Sequence, residues 1–330
     1  MSEATAPRQP IHVMAGLLIE HGCVCITRRR DDAHQGGKWE FPGGKLEAGE
    51  DPLTGLKREL HEELGIVVSE AAPFAQVRHV YPEVDVLLDV WRVDRYDGSP
   101  HGRETQELRW AEIARLEPAE FPDADRSVLR RLQLPPLYLL SDVEKAGREV
   151  FLRRLARALR AGARLVQLRE PQMDRASFTS YARQVAALCH DCGGRFLVNA
   201  DPSWVGECEA DGVHLNSARL MGLSERPLTP RHWVGASCHN ASELAKAEAL
   251  GLDFAVLGPV RSTASHPGAA TLGWERFAAL CGSTVLPVYA IGGMRAADLA
   301  AARSAHGHGL AMISGVWGDP RFETVVRALA

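Results

Sequence analysis

From Leu137 onward the chain repeats one pattern. Short apolar runs begin at Leu137 ("LYLLSD"), Arg164 ("RLVQLRE"), Arg195 ("RFLVNA"), Gly212 ("GVHLN"), Val234 ("VGASCH"), Phe254 ("FAVLGPV"), Val285 ("VLPVYAIGG") and Gly309 ("GLAMISG"), mostly separated by helical patterns such as "VFLRRLARALRAG". Eight strands alternating with helices predict a (β/α)8 TIM barrel, a fold that carries its functional loops at the C-terminal ends of its strands.

The rhythm upstream is different. The runs Ile11–Ile19, Cys23–Arg29 and Val84–Val93 alternate in polarity, with the turn residues Glu20, His21 and Gly22 between the first two. They predict half-buried antiparallel strands, accompanied by helices over Pro52–Leu64 and near Asp125–Leu132. Leu134-Pro135-Pro136 reads as a short stiff linker, because consecutive prolines cannot continue a helix. The expected organisation is an α+β domain over residues 1–134 followed by the barrel over residues 135–330, and 330 residues with 45% hydrophobic content can bury two cores.

The net charge of −4 offers no basic surface for a nucleic-acid polymer, so any nucleic-acid link is expected through small nucleotides. The start, "MSEATAPRQP", reads as a short polar tail rather than a signal peptide, and no run reaches the length of a membrane span. Seven cysteines without regular spacing do not form a disulfide framework, which points to the cytoplasm. Cys189-His190-Asp191-Cys192 is a lone C-x-x-C with no second pair to complete a zinc site, and the Asn240 sequon carries nothing in that compartment.

The stretch "GGKLEAGEDPLTGLKRELHEELGI", Gly43 to Ile66, crowds Glu59, Glu62 and Glu63 beside Arg58, just after a glycine pair expected to form a tight turn. On a helix these three acids share one face, while Leu53, Leu56, Leu60 and Leu64 form a separate apolar stripe. A solvated acidic face is the usual fate of such a run. It leaves the glycine pair and the arginine among the acids unexplained. Clustered hard oxygen donors suit Mg²⁺, or Mn²⁺, with a phosphate-bearing partner completing the site.

Gly44, Glu50, Arg58, Glu59, Leu60, Glu62, Glu63, Gly65 and Ile66 match every fixed position of the Nudix box, G-x5-E-x7-R-E-U-x-E-E-x-G-U with U aliphatic. With "TRRRDDAH", "EFPGGK", "YP", "GRETQE" and "EFPDAD", the first 132 or so residues resemble the MutT-type 8-oxo-dGTP diphosphatases. The resemblance implies hydrolysis of an oxidised purine nucleoside triphosphate to its monophosphate and pyrophosphate, which cleanses the nucleotide pool for DNA replication. It implies metal ligation by Glu59, Glu62 and Glu63 with the Gly43 carbonyl, Glu104 as a further ligand or base, and Arg58 orienting the carboxylates. Lys45 and Arg29 would face phosphate and sugar, and His34, Phe41 and Tyr81 would belong to the nucleoside side. His34 as a surface residue and Phe41 as a core aromatic are equally open readings. Where the family has "FP-x-A-N", with an asparagine that both donates to and accepts from the oxidised base, this chain has Asp125; a carboxylate there either reads the base or N-caps the final helix.

The second half resembles the thiamin phosphate synthase and thiazole tautomerase family over most of residues 137–318, through "VQLREP", "FLVNADPSW", "ADGVHL", "VGASCHNASELAKAEALGLDFAVLGPV", "YAIGGM" and "AMISGVW". The resemblance implies a phosphorylated small ligand held by Gly292, Gly293, Ser314 and Gly315, with Ser237 nearby. The synthase's own positions have changed. Its lysine is Pro171, an expected aspartate is Ala200, the acidic motif after "VHL" is Asn216-Ser217-Ala218, and His266 stands in place of a second lysine. A degenerate phosphate-binding barrel is therefore expected beside the hydrolase. The alternative is a bifunctional or regulatory thiamin-related protein, in which Ser237 and His239 serve a metal-free proton transfer and the Nudix half acts on another diphosphate.

Overall fold

Alternate residues of β1 (Ile11–Glu20) are apolar on both sides, and a helix covers each side. The computed structural model describes residues 10–103, 106–262 and 270–330, which divide into a unit over Met1–Gln133 and another over Leu134–Ala330. In the first unit, Met14 and Leu18 pack with Leu56, Leu60 and Leu64 of helix α1 (Pro52–Leu64). Ala15 and Leu17 pack on the other side with Ala124, Val128 and Leu129 of helix α2 (Asp123–Gln133). The remaining strands are β2 (Cys23–Arg28), β3 (Trp39–Glu40), β4 (Gly43–Lys45), β5 (Val67–Val80), β6 (Asp85–Asp97) and β7 (Leu108–Glu112), giving a seven-stranded mixed sheet ordered β3-β2-β1-β6-β5, with β4 on β1 and β7 on β2.

Two local expectations are corrected here. β1 and β6 run parallel, from Ile11↔Val86 to Leu18↔Val93. The chain between them includes the α1 crossover, which returns it to the same end of the sheet, whereas tight hairpins would have kept all neighbours antiparallel. Gly43-Gly44 is not a turn but strand β4, which pairs with β1 through Ala15↔Gly43 and Met14↔Gly44.

Helix α1 has clear start and stop signals. Asp51 accepts the Thr54 N–H at 3.1 Å, Pro52 opens the helix, and Gly65 at φ 70° closes it.

The second unit is a closed parallel barrel of β8 (Leu137–Leu140), β9 (Leu165–Leu168), β10 (Arg195–Val198), β11 (Gly212–Leu215), β12 (Trp233–Cys238), β13 (Phe254–Leu257), β14 (Val288–Ala290) and β15 (Gly309–Met312). Period-two alternation divides each strand. Tyr138, Leu165, Leu197, Trp233, Phe254 and Tyr289 fill one cluster, in the lumen, while Val166, Val198, Val234 and Ala255 join the larger cluster beneath the surrounding helices. The expected linker is built into this barrel. Pro135 O accepts from the Tyr289 hydroxyl at 2.6 Å, and Pro136 O from the Leu310 N–H at 2.8 Å.

None of the seven cysteines forms a disulfide, and Cys25, Cys189, Cys208, Cys238 and Cys281 are buried. Cys189 and Cys192 form no disulfide. No helix among the described residues is long and apolar enough to cross a membrane.

Gly235 shows how tightly the lumen is filled, since a Cβ there would lie 2.4 Å from the Phe254 ring. Gly235→Ala should destabilise the protein by about 1–3 kcal/mol through overpacking. Phe254→Leu should recover part of that loss when combined with it, giving a favourable coupling energy in a double-mutant cycle by denaturant unfolding.

Candidate functional site

The acidic face of α1 is organised by one guanidinium. Arg58 donates from Nε and Nη2 to the two Glu50 oxygens at 3.1 and 3.0 Å, from Nη1 to Glu59 Oε1 at 2.7 Å and Glu62 Oε2 at 3.3 Å, and from Nη2 to Lys45 O at 3.1 Å. Glu50 is held below the usual carboxylate range by the Arg58 hydrogen bonds. Glu63 accepts the Gly43 N–H at 2.7 Å.

The glycine pair makes this close approach possible. A Cβ on Gly44 would sit 2.1 Å from Glu59 Oε2, and one on Gly43 2.0 Å from Met14 O. Strand β4 therefore slides beneath the carboxylates, and no other residue type fits there.

Glu59 and Glu63 thus lie against β4, with Glu62 joined to Glu59 through Arg58, but the three do not close into a coordination shell. Among the described residues no three His, Cys, Asp or Glu side chains converge as a metal site. Arg58 holds one oxygen each of Glu59 and Glu62, and the Gly43 N–H one of Glu63. Glu104, expected to complete the set, lies outside the described residues, as does His266 in the barrel.

A second cluster gathers near the start of α2. Arg29 pairs with Glu40 and donates from Nε to His34 O at 3.1 Å. The His34 ring meets Tyr81 edge-on at 4.8 Å, and the Tyr81 hydroxyl accepts the Ala124 N–H at 3.2 Å. Asp125 is 6% exposed, and its Oδ1 accepts the Phe41 N–H at 3.4 Å. Because α2 begins at Asp123, Asp125 lies inside the first turn and is not the helix cap. Phe41 is a core residue, 3% exposed against Phe121, and it contributes its backbone rather than an open ring face. Lys45 is exposed on β4, away from this cluster's contacts.

Burial raises both acids of the cluster. Asp125 is pushed up to about 6, with the Phe41 N–H and Arg29 pulling against burial, and Glu40 to about 8, with Arg29 pulling against it and Asp125 adding to it. Glu40 was not among the residues singled out in the sequence. Its place directly before Phe41, opposite Thr27 in β2, carries no signal until the strands are paired.

In the barrel, Gly292 and Gly293 take φ of 102° and 66° after β14. A Cβ on Gly315 would lie 2.1 Å from Met294 O, so the loops after β14 and β15 abut, with Ser314 opening the short helix Ser314–Trp317. Ser237 stands on another strand, β12, hydrogen bonded to His214 Nε2 at 2.9 Å. Asn216, in place of the synthase's acidic motif, accepts the Arg219 N–H at 2.8 Å as a helix cap, and Ser217 donates to Glu243 at 2.7 Å.

The NUDIX domain family model matches residues 14–131, and the thiamine monophosphate synthase model matches residues 137–316. An 8-oxo-dGTP diphosphatase of Escherichia coli (strain K12) is 39% identical over 114 residues, 34% of this chain and 88% of that protein. A putative thiamine-phosphate synthase of Geobacter sulfurreducens is 34% identical over 195 residues, 58% of this chain and 92% of that protein. The solved thiamine phosphate pyrophosphorylase of Pyrococcus furiosus superposes with a TM-score of 0.50 at 24% identity, over 58% of this chain and 92% of that one, a likeness of fold. The chain therefore belongs to two families in succession, a Nudix domain followed by a member of the thiamine monophosphate synthase family.

Proposed function

We propose that the first half is a Mg²⁺-dependent pyrophosphohydrolase that converts 8-oxo-dGTP to its monophosphate and pyrophosphate, cleansing the nucleotide pool. The observation that carries this reading is the Arg58-centred carboxylate face over the Gly43-Gly44 strand, with the Arg29, His34, Tyr81 and Asp125 cluster in the same domain. The donors suit a hard divalent cation, since Glu59, Glu62 and Glu63 supply only oxygen from one helix face. Such an ion neutralises charge on the phosphate oxygens and lowers the pKa of a bound water. Arg58 holds Glu59 and Glu62 in place, and the Gly43 N–H does the same for Glu63. The similarity to the E. coli 8-oxo-dGTP diphosphatase supports the choice of nucleotide.

The barrel reads as a binding domain for a phosphorylated small ligand, with Ser237 and the loops at Gly292-Gly293 and Ser314-Gly315 on the ligand side. The polar atoms of Asn216 and Ser217 are spent on local contacts, and Pro171 and Ala200 stand where the synthase has a lysine and an aspartate. A second reading, metal-free proton transfer, is favoured by His239, whose Nδ1 lies 3.0 Å from Glu243 Oε2. A thermal shift of the protein with thiazole phosphate, lost in His239→Asn, would favour it over simple phosphate binding.

Glu62→Gln and Glu63→Gln should each lower Mg²⁺-dependent 8-oxo-dGTP turnover by roughly a hundredfold while leaving the fold intact. The Glu63 variant retains an oxygen for the Gly43 N–H, so its loss would report charge rather than a broken hydrogen bond; undiminished turnover in both would remove the metal assignment.

The full chain should make no thiamin phosphate from the pyrimidine pyrophosphate and thiazole phosphate. Product formation at an ordinary enzymatic rate would overturn the reading of the barrel as degenerate.

Asp125 predicts a pH effect on base choice. A neutral carboxyl both donates and accepts, and it loses its donor as pH rises through about 6, near the Arg29 charge and the Tyr81 hydroxyl and with Glu40 still protonated in that range. The ratio of kcat/KM for 8-oxo-dGTP over dGTP should fall across that range in the wild type and be higher and flat in Asp125→Asn. A ratio that is independent of pH in both proteins would remove Asp125 from base recognition.

A further inference from the structure

Five polar side chains cap the apolar lumen of the barrel in one continuous chain. Asn199 Nδ2 donates to Gln167 Oε1 at 3.2 Å, and Gln167 Nε2 donates to the Tyr138 hydroxyl at 2.8 Å. Tyr138 Oη lies 3.3 Å from His214 Nδ1, and His214 Nε2 lies 2.9 Å from Ser237 Oγ. Tyr138, Gln167 and His214 are 0%, 1% and 1% exposed, while Asn199 and Ser237, at the two ends, are half-buried. Burial holds His214 down to about 3, with Arg169 adding to the effect, so the ring is neutral and carries a single proton.

Counting protons fixes the direction of the chain. The Tyr138 oxygen accepts from Gln167, so its one proton goes to His214 Nδ1. The imidazole proton is then on Nε2 and is donated to Ser237. The Ser237 proton has no acceptor within the chain and is free for a ligand. The same four contacts are equally satisfied with every role exchanged, once both amides turn over and the ring, in a transient local opening that admits water, exchanges its Nε2 proton for one on Nδ1. Each group keeps its proton count. In that second state Ser237 spends its proton on Nε2 and offers the mouth only lone pairs.

We infer that Asn199, Gln167, Tyr138, His214 and Ser237 form a relay that inverts as a unit, so that an anion accepting from Ser237 fixes Asn199, at the far end, with its carbonyl oxygen free to accept from the ligand. Intermediate states would leave a buried donor facing a donor or an acceptor facing an acceptor, which the dry lumen penalises. The ligand selected in this way presents an anionic oxygen at Ser237 and an N–H donor at Asn199. Its anionic part rests on the reading of the barrel mouth as a phosphate site; the relay itself does not.

The test uses the full-length chain with ¹⁵N-labelled histidine, reading the His214 tautomer by ring ¹⁵N–¹H correlation, with inorganic phosphate as the probe. The wild type with phosphate should carry the proton on Nε2. Asn199→Asp places an acceptor-only group at the rim; it should turn Gln167 over, move the His214 proton to Nδ1 and weaken phosphate binding roughly tenfold. In a Tyr138→Phe background, which cuts the relay, Asn199→Asp should leave the tautomer unchanged; Gln167→Met provides a second cut if that variant does not fold. An Asn199→Asp protein that keeps Nε2–H, or a shift that persists after the cut, would overturn the relay. Failure of phosphate to bind the wild type would overturn the anion assignment, while the tautomer comparison still decides the relay.

Discussion

Arg58 meets Glu50, Glu59, Glu62 and the Lys45 carbonyl, and through them it ties the loop after β4 to the helix that follows. Like charges about 4 Å apart repel by about 1 kcal/mol in water and by more where solvent is partly excluded. A helix carrying three carboxylates on one face therefore needs a cation in their midst. Arginine suits the task because its planar fork can donate to several oxygens at once, which a lysine ammonium would do with less directional control.

The rest of the domain places that face. Leu56, Leu60 and Leu64 anchor α1 to the sheet, and Gly16 lets Leu60 come close enough that a Cβ there would be 2.7 Å from its Cδ1. The helix can rotate little about its axis without losing this fit. The orientation of the carboxylates is in this sense an outcome of leucine packing on the opposite side. The barrel uses the same division of labour, with a lumen of Tyr138, Phe254 and Tyr289 beneath a polar layer that begins at Gln167 and His214.

Much of this was legible in the sequence. The helix over Pro52–Leu64 announces itself by Asp51, Pro52 and Gly65, and the barrel by eight apolar runs between helical ones. What stayed hidden depends on pairing across distance. The parallel partnership of β1 with β6 follows from the path of the intervening chain, and the glycine pair belongs to a strand because Glu59 and Met14 O press on it. Glu40 looks like an ordinary strand acid until Arg29 is set against it. Gln167 and Tyr138 sit in runs that read simply as apolar, and their meeting with His214 requires the closed barrel.

The buried cysteines bear on the conditions under which such a protein can work. Burial pushes the Cys25 and Cys238 thiols up to about 12 and Cys208 to about 11, and raises Cys189 as well. Peroxides attack the thiolate, and at neutral pH these four sites hold almost none. A peroxide formed in the oxidising conditions that create the proposed substrate would therefore find little thiolate to react with at these four sulfurs.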